Sequence, residues 1–115
     1  MLPERIPLPT LVRRRRASRL REALCVLAQN QATILGHSQK SWASATFAGT
    51  RHRIVLEFAG ADAIEAGELF IAWLPEHEFA LAGQLVADAT VTEVDHRLQP
   101  VLMRVTCELL LLEEG

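Results

Sequence analysis

The sequence predicts an α+β domain, a two-layer sandwich in which helices cover one face of a mainly antiparallel sheet, in the order α-β-β-β-α-β-β. Two observations carry this prediction. Apolar residues recur with helical spacing at residues 20–27 and 64–73, and they alternate with a period of two at 51–58, 84–94 and 101–112. A third, the absence of any G-x-G-x-x-G turn between a strand and a helix, argues against a parallel nucleotide-binding sheet.

The chain opens with Pro3, Pro7 and Pro9, which lack amide donors and push their neighbours away from helix. Residues 1–17 therefore read as a Pro/Arg-rich leader and 18–115 as a single α+β domain. A first helix is expected over 12–29, its stripe formed by Leu20, Ala23, Leu24 and Leu27. Either Thr10 or Ser18 is a suitable cap, and only the second leaves the arginine run outside the positive end of the helix. Asn30 suits a left-handed helix stop.

Gln31 to Ser38 then has the β-branched and apolar residues of a first strand. Ser41 to Ala48 and Arg51 to Phe58 are predicted to form a hairpin through Gly49-Thr50, because glycine at the first central position suits a type II′ turn. In the second arm His52, Ile54, Leu56 and Phe58 face inward, opposite to Arg51 and Arg53.

After Gly60, Asp62 and Glu65 have capping-box spacing. Ile64, Ala66, Leu69, Phe70 and Trp73 give the second helix a broad apolar surface that ends at Pro75. Gln84 to Val94 is a strand with Leu85, Ala87, Ala89 and Val91 inward, Asp95 to Pro100 is a loop, and residues 101–112 form the longest strand, expected at the centre of the sheet. Leu110 and Leu112 fall on its outer face and require a cover, which pairing of two sheets in a homodimer would provide.

At 115 residues and 12.8 kDa, with half its residues apolar, the chain has the composition of one folded domain. No apolar run approaches the ~20 residues of a bilayer span. Only Cys25 and Cys107 are present, which fits reduced thiols packed as core filler and a cytoplasmic location. The net charge of −2 hides an asymmetry: residues 1–21 hold seven arginines and one glutamate, and the remainder carries a surplus of eight negative charges. Such a split suits a basic segment that folds against its own acidic body or that of a neighbour.

Candidate site residues fall into two groups. Trp42, His52, Trp73 and His77 could line a ligand pocket between sheet and helices, since aromatic bodies with a polar tip and a histidine between carboxylates suit a half-buried site. Arg13, Arg14, Arg15, Arg16 and Arg19, with Arg21, could contact an anion or the phosphates of a nucleic acid. No aromatic residues interleave them, so nucleic acid is not the expected partner. His37, His52, His77 and His96 have no metal-site spacing, and neither a metal nor another cofactor is predicted. No serine or cysteine stands in a nucleophile motif, so no catalytic residue is assigned.

The element order resembles that of small phage tail-terminator proteins, over Arg19 onward, and this resemblance implies assembly into a ring. The expectation for function is a non-enzymatic structural or interaction protein that forms a homo-oligomer or docks on a protein partner, with no membrane involvement. The alternatives are a small-molecule-binding or enzymatic domain with a pocket between sheet and helices, and a basic-arm regulator that binds nucleic acid.

Overall fold

The computed structural model describes residues 9–114. Six major elements follow one another: helix α1 (Thr10–Leu27), strands β1 (Ala32–Ala43) and β2 (Ala48–Ala59), helix α2 (Ala61–Trp73), and strands β3 (Gln84–Leu98) and β4 (Val101–Glu113). The strands form one antiparallel sheet in the order β1-β2-β4-β3. Both helices pack on the same face, so the predicted α+β architecture holds with one strand fewer than expected.

The missing strand has a definite cause. The two segments expected as separate strands do not break at Gln39-Lys40; residues 32–43 run on as the single strand β1, and the chain reverses at Ser44–Phe47 instead of Gly49-Thr50. Ser44 Oγ accepts hydrogen bonds from the amides of Phe47 (3.0 Å) and Thr46 (3.4 Å), a serine-based turn that needs no glycine. Gly49 lies within β2, between Trp42 and Leu112. A Cβ there would meet the carbonyl of Leu111, so glycine serves a close backbone approach and not a turn.

The inner face is built by alternation. Ile54, Leu56 and Phe58 of β2 and Met103, Val105, Cys107, Leu109 and Leu111 of β4 are buried under Leu20, Leu24 and Leu27 of α1 and Ile64, Phe70 and Leu74 of α2 or its flank. Because β2 and β4 are the central pair, their inward side chains are covered on all sides. Gly67 lets α2 approach this layer, since a Cβ would press on Met103 and on Phe58, 2.9 Å from its ring. Within α2, Leu69 and Trp73 turn to solvent, in contrast to the apolar surface predicted for them.

Helix α1 starts at Thr10, behind Pro9, and takes in the arginine run. It stops as expected: Gln29 and Asn30 have φ of 58° and 56°, and the Asn30 amide donates to the Cys25 carbonyl. The Asp62–Glu65 capping box does not form. Helix α2 begins after Gly60, at φ 95°, without a side-chain cap, and Asp62 only places a negative charge in its first turn.

Two bulges, at Val86/Asp88 and Val91/Glu93, change the parity of β3. Leu85 consequently points outward and Val86 inward, correcting the expected Leu85–Ala87 pair, while Ala89 and Val91 pack on the core as predicted. The segment 95–98, expected as loop, continues β3 and makes it the longest strand, and only Gln99-Pro100, joined by a cis bond, remain as the turn. Among the described residues no helix is long and apolar enough to cross a membrane.

Candidate functional site

Two surfaces follow from this arrangement, one on each side of the sheet. On the helix side, β1 is an open edge beside α1. Strand pairing around the Ser44–Phe47 turn aligns His37 with Ile54 and Gln39 with His52, so His37 and His52 are diagonal neighbours on the inner face. Helix α1 brings Arg21 over them. The Arg21 Nη1 lies 2.8 Å from His37 Nδ1, and His37 Nε2 lies 2.8 Å from His52 Nδ1.

A guanidinium can only donate, which orders the whole chain of contacts. Nδ1 of His37 accepts from Arg21, so a neutral His37 carries its proton on Nε2 and donates it to Nδ1 of His52. His52 then carries its own proton on Nε2, which is buried and has no acceptor among the described residues. Both rings are held neutral. Burial pushes the His52 pKa down to about 4, helped by the neighbouring His37 and Arg21, and burial and then Arg21 lower that of His37.

This relay fixes Arg21 at the junction of two cavities. One, of about 480 Å³, is lined by Thr10, Arg13, Arg14, Ala17, Arg21 and Gln39. The other, of about 850 Å³, extends from Arg21 and His37 along Cys25, Val26, Ile34 and Leu35, with Glu22 also in its lining. Of the remaining arginines, Arg15 and Arg19 are exposed, while Arg16 reaches toward Gly83 and has a buried Nη1 without an acceptor among the described residues. None of the arginines of α1 has a carboxylate within ion-pair distance among the described residues.

On the other side, the outer face carries rows fixed by register. One row across all four strands is Trp42, Gly49, Leu112 and Leu85; the next is Lys40, Arg51, Leu110 and Asp88. Beyond them Arg53 meets Glu108 at 3.9 Å, and the Arg104 Nε donates to Glu57 at 2.8 Å. Leu110 and Leu112 are half-buried, and Leu85 is 55% exposed.

The four residues expected around one pocket do not converge. His52 is 2% exposed beneath α1, and Trp42 is on the opposite face of the sheet. Trp73 and His77 share a separate hollow of about 510 Å³ with Leu27 and Glu76, where the His77 ring stands edge-on to Phe79 at 4.6 Å. Among the described residues, no three histidines, cysteines or carboxylates are grouped as metal ligands. His37 and Gln39 were the residues that sequence spacing missed. The signal was present in the turn: a reversal centred between Ala45 and Thr46 pairs 39 with 52, whereas one at Gly49-Thr50 does not.

No protein-family model, curated protein or solved structure matches this chain.

Proposed function

We propose that this chain is a non-enzymatic assembly domain that forms a homodimer by packing the outer faces of two sheets. The observation that carries this reading is the self-complementarity of the outer face about an axis parallel to its strands. The apolar row Trp42-Gly49-Leu112-Leu85 spans the sheet from edge to edge, while charge changes sign across it. The β1–β2 half bears Lys40, Arg51 and Arg53 against one Glu57; the β4–β3 half bears Asp88, Glu93, Asp95 and Glu108 against Arg97 and Arg104.

A two-fold axis along the strands lays each basic half on the acidic half of the second copy, and each apolar row on its equivalent. An axis across the strands would oppose basic to basic. The size also suits a dimer: four strands at ~4.8 Å spacing and about 12 residues at ~3.3 Å give a face of roughly 750 Å², close to the ~800 Å² per partner of a standard interface.

The test is a charge exchange. In this geometry Lys40 lies over Asp88 of the second copy. Lys40→Glu and Asp88→Lys should each weaken dimerisation several-fold in sedimentation equilibrium, and the double variant should restore it. Losses that simply add in the double variant would reject the geometry.

A further inference from the structure

We infer that the cleft between α1 and β1 binds a free single-chain amphiphilic anion, its oxyanion head held by Arg13, Arg14 and Arg21 and its hydrocarbon tail laid along Val26, Ile34 and Leu35. The cleft lies on the helix side of the sheet and is independent of the outer-face dimer.

The head site is defined by charge without compensation. Arg13, Arg14 and Arg21 line the smaller cavity together with Thr10 and Gln39, Arg13 Nη2 donating to Thr10 Oγ1 at 3.4 Å, and no carboxylate lies within ion-pair distance of the three arginines among the described residues. Guanidiniums supply forked donors that match carboxylate and phosphate oxygens. Arg21 is already oriented, because its Nη1 is tied to His37, whose own ring is tied to His52. That leaves its remaining N–H groups to face a ligand with little further loss of side-chain freedom.

The tail site continues from the same Arg21. Val26 is 71% exposed although it stands on a helix with a well-packed face, and Leu35 is 48% exposed. Leu35 is the extra residue of the β1 bulge between Ile34 and Gly36, and this displacement puts it in the wall of the larger cavity. The exposed Glu22 in the lining of that cavity repels an anionic head there and favours the opposite orientation, head toward Thr10 and tail toward Asn30. An inorganic anion would use the first cavity alone, and a neutral amphiphile the second alone; only a molecule with both parts uses the whole cleft.

Calorimetric titration of the full chain with dodecyl phosphate below its micelle concentration tests this, beside inorganic phosphate, dodecyl maltoside and phosphatidylglycerol vesicles. The expected result is one dodecyl phosphate per chain, bound at least tenfold more tightly than inorganic phosphate or the maltoside. Arg14→Ala and Leu35→Asp, both at exposed positions that spare the core, should each weaken it at least fivefold. Equal affinity for inorganic phosphate, binding of vesicles alone, several molecules per chain insensitive to either substitution, or no heat at all would each overturn the proposal.

Discussion

His37 Nε2 stands 2.8 Å from His52 Nδ1, and this one contact, read together with the Arg21 donor behind it, sets the tautomer of both rings. The pair is neutral because a proton on His52 would be buried beside a second ring and a guanidinium.

The first prediction concerns acid. The His52 pKa falls from 6.5 in the unfolded chain to about 4 in the folded one. Between those values the unfolded chain holds a proton that the folded chain does not, so the contribution of neutral His52 to stability is complete above pH 6.5 and is lost as pH falls toward 4. The loss is on the order of 3 kcal/mol. Urea midpoints at fixed protein concentration should fall over this window, and His52→Leu should flatten the slope even though it lowers stability at pH 7.

The hairpin makes a second prediction, because a glycine in a strand and a glycine in a turn respond differently to a methyl group. Gly49→Ala forces a Cβ against the Leu111 carbonyl, with Leu112 Cα 3.1 Å away. It should cost roughly 1–3 kcal/mol. Ser44→Ala, which removes the acceptor for the Phe47 amide in an exposed turn, should cost about 1 kcal/mol. Thermal denaturation of the two variants ranks them, and the reverse ranking would place the turn at Gly49.

A third prediction follows from the tight approach of α2. Gly67→Ala should destabilise by about 1–3 kcal/mol through Met103 and Phe58, whereas Leu109→Ala, which leaves a hole in the core, should cost about 2–5 kcal/mol. Chemical denaturation measures both.

The thiols should separate kinetically. Cys107 is buried and its pKa is pushed up to about 12, mainly by burial and then by Glu108; Cys25 is half-buried at the cleft. At pH 8 a thiol reagent should modify one cysteine per native chain, and the second only after denaturant is added.

The layers were legible in the sequence because β2 and β4 are central. With both flanks covered, His52 to Phe58 and Met103 to Leu111 keep strict alternation, and the pattern alone shows which side is buried. The edges were less legible for the converse reason. In β1 and β3 the half-covered strands tolerate bulges, each of which inverts parity, so that Leu85 and Val86 exchange faces. Gly49 misled because glycine serves both close approach and turns, and only the neighbouring Leu111 carbonyl distinguishes the two uses. The Arg21–His37–His52 relay depends on that register, which explains why the histidine spacing alone did not reveal it.

The central claim, a homodimer through the outer sheet face, is tested most directly by solution mass from light scattering on the full chain and on Leu112→Asp. The native protein should show twice the 12.8 kDa chain mass at micromolar concentration, and a folded Leu112→Asp variant the single-chain mass. A native monomer, or a dimer indifferent to Leu112→Asp, would contradict it.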